Sequence, residues 1–270
     1  MQQRIALMAA SALGIACFAQ AAAAADLPVV PIAPVAPIVI GYNWSGYYVG
    51  ANLGWSNARS NISWSPNALG FPDASAIASA SNNRLTSNAA AGGIQTGGNW
   101  QWGSIVAGIE GDITFMSNNV QLSVAPLPPP AVGGTSLAET ARLSWLATVR
   151  PRLGYAWDNW LFYATAGWAV GKVVFSDSVQ SSAVSFLGAS TTKTANGWTV
   201  GAGVEYGLVS GWSLKAEYLY TDLGTINGSM GPVTTSTAVI NTSHTMVDQI
   251  ARIGFNFRFG GEREVVVRYP

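Results

Sequence analysis

The sequence predicts an all-β fold: an eight-stranded antiparallel transmembrane up-and-down β-barrel with four long outer loops and short periplasmic turns. Three observations carry this reading. Eight segments alternate apolar and polar residues over at least the roughly 9–11 residues that a membrane-crossing strand needs. The connections between them run long, short, long, short, long, short, long, as outer loops and periplasmic turns do. The charges keep to one parity: Glu110, Asp112, Arg150, Arg152, Glu205, Lys215, Glu217, Arg252 and Arg258 all fall on the polar side of their segments. A lipid-facing Arg or Lys at the bilayer midplane costs about 2–4 kcal/mol, which explains the exclusion. Lys172 breaks the parity near a strand end, where its stem can carry the ammonium to the interface.

Composition points the same way. Charged residues make up 10% of the chain, against roughly 25% in an average soluble domain, and the mean hydropathy is +0.25. Arg4, the apolar stretch Ile5–Phe18 and the alanine run Ala19–Ala25 form an export signal with small-residue cleavage sites over residues 1–25. Beyond it no apolar run is long enough for a membrane helix, so a closed barrel is the remaining way to satisfy every backbone group in lipid. Cys17 is the only cysteine and leaves with the signal, so neither a disulfide nor thiol chemistry is expected in the mature protein. The formal net charge of zero gives no reason to expect a nucleic-acid partner.

Taken in order, residues 26–42 come first. Pro28, Pro31, Pro34 and Pro37 recur every third residue, the spacing of an extended polyproline II tether. The barrel is expected over residues 43–259. Segment one, Trp44–Asn57, sets Tyr47, Val49, Ala51, Leu53 and Trp55 against Tyr48, Gly50, Asn52, Gly54 and Ser56, since a strand sends successive side chains to opposite faces. After a polar stretch, 58–88, come segment two (Ala89–Trp100), the short link Gln101–Gly103 and segment three (Ser104–Met116). A second long loop spans 117–140. Segment four is Arg142–Tyr155; its Pro151 lacks a ladder donor and is expected to mark a bulge. Segment five (Trp160–Phe175) precedes a third long loop, 176–196. Segments six (Gly197–Val209) and seven (Trp212–Tyr220) flank a two-residue Ser210-Gly211 turn. A fourth long loop, 221–247, leads to segment eight, Ile250–Phe259, in which Ala251, Ile253, Phe255, Phe257 and Phe259 alternate with Arg252, Gly254, Asn256 and Arg258. Residues 260–270 form a short periplasmic tail. Trp and Tyr near segment ends (Trp44, Tyr47, Trp55, Trp100, Trp145, Tyr155, Trp160, Trp198, Trp212, Tyr220) suit an interfacial girdle.

The stretches WSGYYVGANLGW, GGIQTGGNWQW, GIEGDITF, VRPRLGYAWDNWLFYATAGWAVG, GWTVGAGVEYG, KAEYLYTDLG and RIGFNFRFGG resemble the small porin-like surface-antigen barrels of alphaproteobacteria, similar in architecture to the transmembrane part of outer membrane protein A. The resemblance covers roughly residues 41–261 and implies an outer-membrane location, a role in envelope integrity, and host or phage contact. It implies that Phe255, Phe257 and Phe259 form the signal read by the barrel insertion machinery. The peptidoglycan-binding domain of larger relatives is expected to be missing.

The chemistry expected of the site is electrostatic. An eight-stranded barrel is only wide enough to be filled by side chains, and unpaired buried charge is costly. The four acids and five bases named above are therefore expected to pair as a lumen charge network, leaving at most a narrow ion path. Gly201, Gly203 and Gly207 resemble a phosphate loop only superficially; no Walker lysine follows, and they make room for neighbouring side chains. His244, the only histidine, falls in the fourth loop beside Ser243 with Asp248 nearby, too little for a nucleophile–base pair. No enzyme, cofactor or metal site is expected. The role expected first is structural and surface-exposed, with a narrow porin-type channel as the alternative, an adhesin acting through its loops as another, and a soluble ligand-binding barrel as the third. Outer-membrane lipid, lipopolysaccharide and host or phage surfaces are the expected partners, with a monomer as the default.

Overall fold

The computed structural model describes residues 42–66, 74–125, 134–180, 187–231 and 239–259. The export signal, nearly all of the proline-rich tether and the tail lie outside the described residues. Eight strands follow one another: β1 (Gly46–Pro66), β2 (Asn83–Trp102), β3 (Ile105–Val124), β4 (Ser136–Trp157), β5 (Trp160–Gln180), β6 (Leu187–Gly207), β7 (Trp212–Met230) and β8 (Ile240–Phe259). Each pairs antiparallel with its successor, and β8 closes on β1, with Tyr47 opposite Phe259 and Trp55 opposite Ala251. One helix, α1 (Ala74–Ser81), stands between β1 and β2.

The strands are all longer than the sequence reading allowed, and β7 and β8 are about twice as long. β4 runs for 22 residues and β7 for 19. Much of what was expected to be loop is strand: 58–66, 83–88, 117–124, 136–140, 176–180, 187–196, 221–230 and 240–247. The reason is visible along β1. From Tyr48 to Ser56 the inward face is polar or glycine, while Tyr47, Leu53 and Trp55 point outward and are 60%, 70% and 57% exposed. From Asn57 onward the pattern inverts. Ala58, Ile62 and Trp64 are buried inside, and Arg59, Asn61, Ser63 and Ser65 face out. β8 does the same, with Ile240, Met246 and Ile250 inside above Arg252 and Asn256. The backbone continues through the boundary; the solvent around it changes.

That boundary is marked by exposed Trp55, Phe115, Trp168 and Trp198, an outer interfacial girdle. Tyr47, Trp102, Trp157, Trp160 and Trp212 mark the periplasmic one. On β1 the girdles are eight residues apart (55 − 47), about 27 Å along a strand and less once tilted, which matches a hydrocarbon band. Lys172 lies outward and exposed beyond Trp168, outside that band. Trp44 departs from expectation. It is 1% exposed and sits inside the periplasmic mouth rather than in the girdle.

Two local expectations also change. Pro151 causes no bulge: the β4–β5 register is the same at Val149↔Trp168 and Arg152↔Thr165. Pro151 points outward, and Thr165 donates its hydroxyl to the Pro151 carbonyl at 2.9 Å. The bulge falls at Ser144, between Leu143 and Trp145. The β6–β7 link is longer than two residues. Val209–Gly211 forms a 3-10 turn in which Ser210 and Gly211 take φ of 60° and 85°.

Candidate functional site

Among the described residues, charged and hydrogen-bonding side chains concentrate in the barrel interior, which is built in three tiers. At the periplasmic mouth Trp44 packs with Val106, Ala156, Leu161 and Tyr163. Its backbone N–H donates to Gln101 Oε1 at 2.6 Å. The Tyr42 ring packs tilted against it, centroids 4.6 Å apart and planes at 57°, and lies over Gly207, where a β-carbon would collide with that ring.

The ionic tier lies above this plug. Glu110 on β3 accepts from Arg150 (2.7 Å), from Lys215 (2.7 and 2.8 Å) and from the Tyr48 hydroxyl (2.6 Å). Asp112, two residues along the same inward face, accepts from Arg150 (2.9 Å), Arg252 (3.0 Å) and Thr148 (2.6 Å). Glu217 on β7 accepts from Arg252 Nε at 2.7 Å and Tyr163 at 3.0 Å. Glu205 on β6 accepts from Arg152 at 2.9 Å and Asn256 at 2.9 Å. Several links cross the lumen from β3 and β4 to β7 and β8. They can do so because small residues flank the long ones: the wall beside Arg252 is Gly54, and beside Arg150 it is Gly167. Four acids and four bases thus neutralise one another, with all of these side chains buried. Isolated charges there would cost several kcal/mol each.

Eight of the nine residues expected in the network are therefore brought together. Arg258 is not. Its guanidinium lies over the Tyr42 ring at 4.3 Å and donates to the Ser45 carbonyl at 3.4 Å, at the periplasmic rim. Sequence parity places the neutral members Tyr48, Tyr163, Thr148 and Asn256 on the polar side of their segments but does not name them as part of the network. Their even spacing with the charges on each strand was the available signal. Gly203 and Gly207 lie against Tyr163 and Tyr42, as room for neighbours requires.

The upper tier is apolar. Leu143, Leu146, Val173, Leu219, Leu223 and Ile250 fill the barrel just above the ions. Higher still, Trp64, Leu137, Val179, Met230 and Ile240 close around Ile77 of α1, which is fully buried. Two polar clusters interrupt this core: the Ser56 hydroxyl donates to Asp248 and accepts from the Asn118 amide, all three buried, and a second cluster surrounds His244. His244 is not in a loop but on β8, facing inward. Its Nε2 is 3.1 Å from Asp177 Oδ2, and its ring stacks on Phe175 at 4.2 Å. Glu139 lies across the ladder from Asp177, buried, with neither carboxyl oxygen hydrogen-bonded. Glu139 is six residues beyond Trp145 (145 − 139), outside the membrane band. Burial first, then the Asp177 charge, push its carboxyl up to about 8. No local pattern announces this cluster, because its members are far apart in the chain. No group of three or more metal-ligating side chains occurs among the described residues.

Phe255, Phe257 and Phe259 all point outward from β8 and are 50%, 39% and 50% exposed. A closed ring of eight strands with an aliphatic and aromatic outer band, two girdles and an ion-paired interior is an outer-membrane β-barrel protein. The chain belongs to the outer membrane protein beta-barrel domain family, whose model matches residues 9–259. It is 36% identical over 252 residues to the 31 kDa outer-membrane immunogenic protein of Brucella melitensis, covering 90% of this chain and 96% of that one. It is 35% identical over 131 residues to a 22 kDa outer membrane protein of Rhizobium leguminosarum, covering 48% and 51%. Among solved structures it resembles OprG of Pseudomonas aeruginosa with a TM-score of 0.46 at 11% identity, over 82% of this chain and all of that one.

Proposed function

We propose that this protein is a closed, non-conducting surface barrel with a structural role in the bacterial outer membrane. The observation that supports it most is the sequence of barriers along the axis. A solute would have to pass Trp44, then a network whose acids and bases are all mutually engaged, then an apolar core capped by Ile77. Each barrier disfavours ions for a different reason: bulk, competition from fixed partners, and desolvation. A narrow porin-type channel would need all three to open together. The polar outward faces of the outer strands are what a host or phage surface would meet, which keeps an adhesin role as the second reading. Phe255, Phe257 and Phe259 serve, on this reading, as the mark recognised by the insertion machinery, and the barrel acts as a monomer without catalytic activity.

The test is single-channel recording in planar bilayers with the full-length protein. Baseline current with no steady steps is expected for the wild type. A constant, salt-proportional conductance would overturn the closed-barrel reading.

A further inference from the structure

Outside the membrane the barrel wall is not continuous. β6 and β7 pair from Gly207↔Ser213 to Trp198↔Asp222 and no further, although β6 continues to Leu187 and β7 to Met230. At the branch, Gly197 lies so close to the Asp222 carbonyl that no side chain would fit. β7 then turns away through an irregularity between Asp222 and Thr225, with Gly224 at φ 70°. On the opposite side β2 and β3 part above Ala91↔Met116. The outer half is therefore two four-stranded sheets, β3–β4–β5–β6 and β7–β8–β1–β2, held together by the apolar core between them.

Among the described residues, each gap leaves two strand edges without a ladder partner. An unpaired edge presents a row of N–H and C=O groups to any extended chain, and natural proteins usually blunt it with charge or proline. The β6 edge from Gly188 to Asn196 reads GASTTKTAN, with Lys193 as its single charge and no proline. Lys193 is exposed, and its ammonium donates to the Asn227 carbonyl of β7 at 2.7 Å. That bond spans the gap in place of ladder bonds, and it uses a backbone acceptor rather than a carboxylate. The β2–β3 gap is better filled, since Leu85 packs there against both apolar clusters.

We propose that the β6–β7 gap is a docking site for an extended segment of a partner protein, which adds as a strand along Gly188–Asn196 and sets a carboxylate beside Lys193. Strand addition takes its affinity from main-chain hydrogen bonds and its selectivity from the side chains that fall opposite. A freed Lys193 selects an acidic residue there, because opposite charges across a ladder attract. A second copy of this chain fits poorly, because its own β6 edge carries Lys193 and no carboxylate to set beside the first. The proposal does not depend on whether the lumen conducts.

The test uses the full-length protein in phospholipid nanodiscs and amide hydrogen exchange read by mass spectrometry. Three synthetic nine-residue peptides alternate Thr and Val around a central Glu, Lys or Pro. The Glu peptide is expected to slow exchange over 188–196 severalfold, and the Pro peptide, which cannot complete a ladder, is expected to do nothing. Lys193→Glu, at an exposed position, is expected to shift the preference from the Glu to the Lys peptide by about threefold. Four results would overturn the proposal: no peptide slows exchange over 188–196, protection appears only elsewhere, the Pro peptide protects equally, or protection grows with protein concentration in the absence of peptide.

Discussion

The two halves of each strand obey opposite rules. Between the girdles, Leu53 points out and Arg252 points in; eight residues further up the wall, Asn61 points out and Ile62 points in. On β1 and β8 the pleat and its parity run unbroken through the boundary; on β4 and β7 the irregularities at Ser144 and between Asp222 and Thr225 shift the parity by one residue. What changes is whether hydrocarbon or water surrounds the barrel, and the free energy of burial follows that change. The membrane half is held by ions because its interior is where polar groups can go. The outer half is built like a soluble sandwich, with an apolar core between two sheets.

The ionic half should show the largest sensitivity. Glu110→Ala removes the acceptor shared by Arg150 and Lys215 and leaves buried cations short of a partner. A loss of about 3–5 kcal/mol is expected, read as a lower urea midpoint in micelles. Replacing Glu110 by Gln should cost less, since a hydrogen-bonding oxygen remains. A loss below 1 kcal/mol for Glu110→Ala would mean that the interior is wetter than the packing implies.

The contrast itself is tested by one substitution made twice. Leu53→Arg puts a cation on the lipid-facing wall and should cost about 2–4 kcal/mol. Asn61→Arg puts the same cation on the same outward face of β1, eight residues further out (61 − 53), and should stay within about 0.5 kcal/mol. Equal costs would place the girdles wrongly. Within the outer half, Ile77→Ala should cost about 2–4 kcal/mol. The loss should appear as faster protease cleavage of the outer strands, with the midpoint of the membrane half unchanged.

How much was legible follows from the same contrast. Leu53 against Asn52, or Phe257 against Asn256, announces itself because lipid demands a strongly apolar outward face. Hence the eight membrane segments and eight of the nine network residues could be read from parity, and the closed topology from the alternating loop lengths and the need to satisfy every backbone group in lipid. In the outer half the outward residues are Ser, Thr and Asn and the inward ones include Ala58, Ser60 and Ala141. Such a weak alternation looks like loop, and 136–140 or 187–196 were therefore missed as strand. Trp44 was misplaced because position near a strand end does not say whether a ring turns to lipid or into the mouth. The Glu139–Asp177–His244 cluster depends on which strands face each other across the core, which no local pattern records.

That cluster gives a smaller and more specific effect than the ionic tier. An acid whose folded value rises from the ordinary carboxylate range to about 8 binds a proton in the folded state that the unfolded state has released. Its contribution to stability is whole below about pH 4.5 and is lost as pH climbs through 8. Glu139→Gln fixes the uncharged form, so the variant should match the wild type at pH 4.5 and exceed it at pH 8.5. Local opening of the outer strands limits the observable gain to about 1–2 kcal/mol. The midpoint of thermal near-ultraviolet dichroism, which the buried Trp64 beneath α1 reports, measures it at both pH values. A gain of the same size at pH 4.5 would assign the effect to packing around residue 139 and not to charge. Because Glu139 lies beyond the girdle, Glu110→Ala should leave this pH difference unchanged, so the two halves can be perturbed one at a time.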